Sequence, residues 1–359
     1  MINRICIIGP CINLGGIERS SVTLANYLAT CGLKVTYLAI FKRPHFFQLE
    51  EGIILDEPSH DSDLSGINFL KAVQRIRKRI KIIRPDAIFV FNKFYGAIST
   101  LALLGINIPI FVSERMSPLS KGSFKTRLIN RISFWLKPPK GVIAQTIIAA
   151  RFQRKYYPKR TPIEVIPNAI RKVIQHPEIN RIKIILAVGR LNDRAKGFDR
   201  LLLAFSKTEN PDWHLVFAGG DEEGDFLKIL ARELGIFERI RFLGKVKDVD
   251  QLYAQASIFV IPSRSEGFPN ALCEAMAAGL ACISYDFIAG ARDIITHGQN
   301  GLIVENGNIQ ALANAITFLA KNQEERERLG KNALKIRETL SMEKIGQKYL
   351  EFIIKHSKI

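Results

Sequence analysis

Short apolar runs alternate with amphipathic stretches along almost the whole chain. "RICIIG" (4–9) predicts a buried strand, "GGIERSSVTLANYLATCG" (15–32) a loop and a helix ending at Gly32, and "KVTYLAI" (34–40) the next strand. Together they make a β-α-β unit. Further strand-like runs are "DAIFVF" (86–91), "IPIFVS" (108–113), "GVIAQ" (141–145) and "IEVIP" (163–167), so the first half predicts an open, mostly parallel sheet. The pattern pauses at "NAIRKVIQHPEINR" (168–181), polar and proline-containing, and restarts with "IKIILAVG" (182–189). "WHLVFAG" (213–219), "IRFLG" (240–244), "IFVIP" (258–262), "ACIS" (281–284) and "GLIV" (301–304) predict a second sheet, with helical segments after it. The expected architecture is α/β, with two doubly wound domains over 1–175 and 176–340 and a helix over 341–359 that could return to the first. Facing domains of this kind hold a ligand at the carboxyl ends of their strands.

A length of 359 residues suits two cores, and 47% apolar with 24% charged residues is ordinary for a globular protein. No run reaches the roughly 18–20 apolar residues of a membrane-spanning helix, and the first apolar run is too short for a secretory signal. A cytoplasmic protein is therefore expected. The five cysteines lack metal-ligand spacing and read as reduced thiols.

Charge changes the picture more. Of the formal +18, residues 1–175 hold 27 Lys+Arg against 10 Asp+Glu, a net +17, which leaves +1 for the rest. So one-sided a field implies an anionic partner: nucleic acid, an acidic membrane surface or a phosphorylated lipid. Nucleic acid is set aside, because no zinc finger, basic zipper or RNA-binding strand is present. Two basic amphipathic helices concentrate the charge. In "INFLKAVQRIRKRIKIIR" (67–84), Phe69/Leu70, Val73, Ile76 and Ile80 fall at helical spacing, while Lys71, Arg75, Lys78 and Arg79 lie on other faces and suit a lipid diphosphate or membrane surface. In "SFKTRLINRISFWLKPPK" (123–140) the apolar set is Phe124, Leu128, Ile132, Trp135 and Leu136, expected to pack on the sheet with its cations solvated.

Three stretches could carry chemistry. "GPCINLGGIERS" runs from the first strand into a helix start, where free N–H groups favour an anion, although Gly15-Gly16 alone equally fits a tight turn. It is neither a Walker loop nor a dinucleotide fingerprint. "GRLNDRAKGFDRLLLAF" (189–205) puts Arg190 and Lys196 after a strand, suited to a diphosphate or, taken singly, to plain surface charge. "SEGFPNALCEAMAAG" (265–279) flanks a Gly-Phe-Pro break with Glu266 and Glu274. Pro269 suits a first helical turn, so the N–H groups of Asn270, Ala271 and Leu272 could receive phosphate oxygens while Glu274 accepts bonds from vicinal hydroxyls. The acidic triplets "DSD" (61–63) and "DVD" (248–250) precede helices and read as caps rather than metal ligands, so no metal or other cofactor is expected.

With these residues assembled, the chain resembles glycosyltransferase family 4, retaining enzymes of the GT-B fold, along nearly its whole length. "EGFPNALCE" is similar to that family's Glu-x7-Glu motif, and "GGIER", "GRLNDRAKGFD", "VIPNAI", "FLGKV", "AGARDII" and "NGLIV" follow the family's order. The resemblance implies that Arg190 and Lys196 hold the donor diphosphate, Glu274 the ribose, and Glu266 the donor sugar, with Glu266, Arg190 and Lys196 as the catalytic set. It further implies a donor pocket lined by Gly15, Gly16, Gly267, Phe268, Pro269, Asn270, Ala271 and Leu272, with Lys245 and Val246 near the base. Glu18, Glu114 and Arg115 would lie near the acceptor or the transferring sugar. Two departures stand out: "SERMSP" puts Glu114 and Arg115 where many relatives have a histidine, and Asp293 stands where some have glutamate. The versions present most resemble bacterial enzymes extending polyprenyl-diphosphate-linked oligosaccharides, including those adding GalNAc for protein N-glycosylation; capsule and lipopolysaccharide transferases are similar too. The implied activity is metal-independent, retaining transfer of a hexose or N-acetylhexosamine from a nucleotide-diphosphate sugar, UDP-linked, to a lipid-linked glycan at the inner face of the cytoplasmic membrane. A UDP-sugar 2-epimerase of the same fold and a non-catalytic membrane-binding protein are the alternatives.

Overall fold

The computed structural model describes residues 2–61, 63–117, 122–220, 225–288 and 290–357. The chain divides into two compact units, one of Met1–Ala169 with Met342–Ile359, the other of Ile170–Ser341. The first contains β1 (Arg4–Gly9), α1 (Gly16–Thr30), β2 (Lys34–Ala39), β3 (Ile54–Asp56), α2 (Gly66–Ile83), β4 (Ala87–Phe91), α3 (Lys93–Ala102), β5 (Ile110–Ser113), α4 (Phe124–Leu136), β6 (Gly141–Ala144), α5 (Ile147–Gln153) and β7 (Ile163–Val165). Its seven strands are ordered β3-β2-β1-β4-β5-β6-β7, all parallel. The strands at the centre are buried end to end because helices cover both faces, which is why they read as unbroken apolar runs.

The second unit contains β8 (Ile184–Val188), α6 (Phe198–Phe205), β9 (His214–Ala218), α7 (Asp225–Glu233), β10 (Ile240–Phe242), α8 (Val249–Gln255), β11 (Ile258–Ile261), α9 (Asn270–Ala277), β12 (Ala281–Tyr285), α10 (Ala291–Ile294), β13 (Leu302–Val304), α11 (Ile309–Lys321), α12 (Gln323–Ala333) and α13 (Ile336–Thr339). Its parallel order is β10-β9-β8-β11-β12-β13. In each sheet the order reverses once, between β1 and β4 and between β8 and β11. Such a switch point opens a crevice beyond the strand ends.

The division falls at 169/170 rather than after 175. Ile170 donates its N–H to the Leu340 carbonyl (2.9 Å), and Ile174 donates to Asp250 (2.8 Å), so this polar stretch is already part of the second unit. The last helix, α14 (Met342–Ser357), belongs to the first unit. It buries Ile345, Gly346, Tyr349, Phe352 and Ile353. Gly346 is required there, since a Cβ would come within 2.3 Å of the Tyr27 ring on α1; Phe352 likewise lies over Gly141 and edge-on to Phe111.

The two basic helices differ from expectation. On α2, Ile76 and Ile80 are buried as the spacing predicts, but Arg75 and Arg79 turn inward and clamp Asp56 at the end of β3, Arg75 also bonding the carbonyls of Asp56 and Ala39. Only Lys71 and Lys78 of that set remain exposed. Helix α4 packs through Ile129, Asn130, Ser133 and Phe134, with Phe134 stacked near Tyr157. Phe124, Leu128, Ile132, Trp135 and Leu136, expected against the sheet, are exposed instead, Trp135 to 78%. This helix is apolar on two faces, and spacing alone does not say which one the core takes.

Candidate active site

The loop after β8 and the loop after β11 meet at the second unit's switch point. Asp193 caps a single turn over Arg194–Lys196 through the Ala195 N–H, and Gly197 ends it in the left-handed region at φ 69°. A Cβ on Gly197 would lie 2.0 Å from the Pro262 carbonyl oxygen, so this approach of two backbones admits glycine alone. Arg264 closes the contact: its N–H bonds the Ala195 carbonyl, and its guanidinium forks onto Asp199 at 2.8 and 2.6 Å and also reaches the Arg194 carbonyl. Those bonds from Arg264 hold the Asp199 carboxyl below its usual range.

This stitching sets two charges against each other. Lys196 Nζ stands 2.9 and 3.2 Å from the two oxygens of Glu266, and the Ser263 hydroxyl donates to Glu266 Oε1 at 2.6 Å. Both side chains are largely buried, at 23% and 11% exposure. Arg190 is 73% exposed, and it pairs with Asp193 at 2.8 Å. Around the same strand ends, the Gly219 N–H bonds the Gly244 carbonyl (2.7 Å), which fixes the start of the segment carrying Lys245 and Val246.

Helix α9 starts one residue past Pro269. Asn270 spends its N–H on the Phe268 carbonyl at 3.0 Å, so the expectation that it is free is corrected. The N–H groups of Ala271 and Leu272 have no acceptor among the described residues. Glu274 is buried and faces a network absent from the sequence reading. Arg171 approaches its two oxygens at 3.3 and 3.4 Å, and the Tyr253 hydroxyl lies 3.3 Å from Oε2. Arg171 also forms a bidentate pair with Asp250. Burial works against the Arg171 cation, but the bonds it donates to Asp250 and the charge of Glu274 outweigh that and hold it protonated. The "DVD" triplet thus divides its work: Asp248 caps α8, while Asp250 is the partner of Arg171. In "DSD", Asp63 accepts from Ser65 and Asn68 at the approach to α2 and Asp61 pairs with Arg43; Ser62 lies outside the described residues. Among the described residues no group of three or more His, Cys, Asp or Glu is placed to hold a metal ion.

In the first unit, Glu18 folds back over the start of α1, its carboxylate bonded to its own N–H and set where a Cβ on Gly15 would lie; burial raises its pKa. A Cβ on Gly16 would meet open space. The anion position at this helix start is thus held by the chain's own carboxylate. Glu114 is buried, accepting the N–H groups of Arg115 and Met116 and pairing with Lys93 at 3.4 Å. Arg115 reaches Asn168 and the Tyr349 hydroxyl of α14. Its guanidinium ties the chain's exit from this unit to its return, a structural duty the sequence reading did not give it. Arg171, Tyr253, Ser263 and Arg264 were all missed: Arg171, Tyr253 and Arg264 act through partners distant in sequence, Ser263 bonds Glu266 only three residues on but carries no motif of its own, and only "NAIRK" beside a family motif marked Arg171's neighbourhood.

Comparison with known proteins places this geometry. A family model described as Glycosyltransferase Family 4 matches residues 14–172, and one described as Glycosyl transferases group 1 matches 170–336. The lipopolysaccharide core biosynthesis glycosyltransferase LpsE of Rhizobium meliloti is 32% identical, over 94% of this chain and 96% of that protein. The Campylobacter jejuni protein named "GalNAc-alpha-(1->4)-GalNAc-alpha-(1->3)-diNAcBac-PP-undecaprenol alpha-1,4-N-acetyl-D-galactosaminyltransferase" is 24% identical over 98% of each chain. Anabaena HepE, solved with UDP and glucose, superposes with a TM-score of 0.80 at 18% identity, covering 99% of this chain and 100% of that one. Two parallel Rossmann-like sheets, the Lys196–Glu266 site at the second switch point and end-to-end similarity lead to one assignment: the chain belongs to the GT-B glycosyltransferases, its first part matching Glycosyltransferase Family 4 and its second glycosyl transferases group 1.

Proposed function

We propose that this glycosyltransferase moves a hexose or N-acetylhexosamine from a UDP-sugar to a polyprenyl-diphosphate-linked glycan, with retention and without a metal ion. The observation that carries the reading is the Lys196–Glu266 pair beside the open Ala271 and Leu272 N–H groups. As the donor's glycosidic bond breaks, negative charge grows on the departing diphosphate, and a fixed cation and aligned N–H dipoles stabilise that charge without reorganising. Lys196 supplies the cation, with Arg190 at the edge. Glu266, held by Lys196 and Ser263, lies toward the sugar, and Glu274, oriented by Arg171 and Tyr253, reads the ribose hydroxyls. The Campylobacter relative's name specifies an undecaprenyl-diphosphate-linked acceptor, and HepE was solved with UDP; both support the choice of substrates.

The test is transfer of label from a panel of UDP-, GDP- and ADP-sugars into the organic phase of a bacterial lipid extract, with Glu274→Ala as control. Lipid-phase label from one UDP-sugar, lost in the variant, is expected. Label from another nucleotide class overturns the donor; donor turned over without any acceptor points to an epimerase; nucleotide binding without lipid-phase label overturns the acceptor.

A membrane surface is part of the same reading. The first unit carries 29 Lys+Arg against 12 Asp+Glu, a net +17, and α4 exposes Phe124, Leu128, Ile132, Trp135 and Leu136 beside Lys125, Arg127 and Arg131. Apolar anchors with cations around them suit an anionic interface. No helix among the described residues is long and apolar enough to cross a membrane. Leu128→Ser/Trp135→Ser should therefore weaken sedimentation with phosphatidylglycerol vesicles by about tenfold or more, since withdrawing each large apolar side chain loses roughly 1–2 kcal/mol. Unchanged sedimentation would remove α4 from the membrane surface.

A further inference from the structure

One guanidinium in the second unit serves two buried carboxylates, and it serves them unequally. Asp250, in the first turn of α8, is 3% exposed. Its oxygens close on the Nη1–Nη2 end of Arg171, Nη1 donating at 2.8 Å, and Oδ2 also accepts the Ile174 N–H at 2.8 Å. Burial works against the Asp250 carboxylate, but the bonds from Arg171 and Ile174 hold its pKa below the usual range. Glu274, on α9, faces the other edge of the same guanidinium, with Oε1 3.3 Å from Nε and Oε2 3.4 Å from Nη2. Tyr253 is wholly buried, and its hydroxyl stands 3.3 Å from Oε2.

Charge-assisted bonds between nitrogen and a carboxylate run at about 2.7–2.9 Å. Arg171 meets Asp250 at such a distance, and Lys196 meets Glu266 at 2.9 Å, whereas the contacts of Glu274 with Arg171 and Tyr253 are all longer. The cause is competition. Nη2 is divided between the two carboxylates, and a guanidinium drawn onto Asp250 cannot also close on Glu274. Without the Asp250 charge, Arg171 could take Glu274 in a bidentate pair, and a carboxylate so engaged has fewer lone pairs to offer a ligand. The backbone beside Arg171 is fixed as well, since the Ile170 N–H bonds the Leu340 carbonyl at 2.9 Å.

We propose that Asp250 and Arg171 are positioning residues that set the selectivity of this site for a nucleotide's ribose. Arg171 orients Glu274, and Asp250 holds the guanidinium back so that the Glu274 carboxylate accepts from a vicinal diol. The inference rests on the reading of Glu274 as the ribose-binding group. A clamp that only braced the fold would be indifferent to whether the ligand carries that diol.

Calorimetric titration of the full chain with UDP, ADP and GDP and with their 2′-deoxy counterparts tests it, the nucleotide that the wild type binds being the pair compared. The wild type should bind the ribonucleotide at least about tenfold more tightly, the worth of one hydrogen bond to a charged group. Asp250→Asn, which lets Arg171 close on Glu274, should cut that ratio at least about threefold, and so should Asp250→Asn/Arg171→Met, which leaves the net charge of the three groups as it was. Affinity for the deoxynucleotide should be nearly unchanged in both, which also shows that they are folded. The wild-type ratio in either variant, whether the two affinities hold or fall together, overturns the inference. Loss of deoxynucleotide binding in both variants does the same, because it marks a clamp that only braces the fold. Glu274→Ala separates the two readings. It should erase the discrimination; if it does not, or if the wild type makes none, the ribose reading of Glu274 falls, and with it this inference. Binding of no nucleotide by the wild type would defeat the donor site itself.

Discussion

Lys196→Ala lowers turnover by roughly 10²–10³ while the protein stays folded, an effect of the size seen when one preorganised group facing developing charge is removed. Two consequences of the substitution can be separated. The first is catalytic, because in the function proposed Lys196 is the cation that the loops after β8 and β11 hold in place for the departing diphosphate. The second is structural, because Glu266 is left with Ser263 and little water, at 11% exposure. Adding Glu266→Gln to Lys196→Ala removes the uncompensated carboxylate, so the double variant should regain thermal stability and no activity. Arg190→Ala, at an exposed position paired only with Asp193 among the bonds described, should cost about tenfold. Initial rates against donor concentration, alongside thermal melts, check all three. Wild-type turnover in Lys196→Ala would sink the assignment of the site.

The other large effect comes from a residue with no side chain. Gly197→Ala puts a non-glycine residue at φ 69° and a Cβ 2.0 Å from the Pro262 carbonyl oxygen, backbone that has no rotamer by which to yield. The left-handed conformation alone costs about 1–2 kcal/mol, and the overlap forces apart the loops that Arg264 joins. A loss of about 3 kcal/mol is expected, or roughly 6–12 °C in Tm for a domain of this size. Because Lys196 immediately precedes Gly197, the surviving folded protein should also turn over at least about tenfold more slowly. A melt within a degree of wild type would show that the two loops are not in the contact described.

How much of this was legible beforehand depended on whether a feature was local. The twelve strand-like runs match strands to within a residue or two at most ends, because a strand buried on both faces writes itself as an uninterrupted apolar run. Strand β3 was missed: "ILD" is three residues at a sheet edge, too short for a period to show. The Gly-Phe-Pro break and the start of α9 were local signals too, and Glu266 was assigned by resemblance to a motif. What stayed hidden was pairing across distance. Nothing near Arg75 or Arg79 says that Asp56 will claim them, and nothing near Glu274 points to Arg171, over a hundred residues earlier. Helix α4 failed for a different reason: two faces were apolar enough to be the inner one, and the choice is made by Phe134 and Ile129 against β5 and β6, not by the helix.

The return of α14 to the first unit fixes an order of events on the ribosome. The sheet of Met1–Ala169 emerges first, yet Phe89, Phe111 and Tyr27 wait for Tyr349, Phe352 and Gly346, which are made within the last eighteen residues. The second unit is continuous in sequence and has all its strands before those residues exist. The unit synthesised first is therefore the unit completed last, and a nascent chain arrested just short of residue 342 should present a finished second unit and a first unit with an open apolar flank, the state a chaperone would meet.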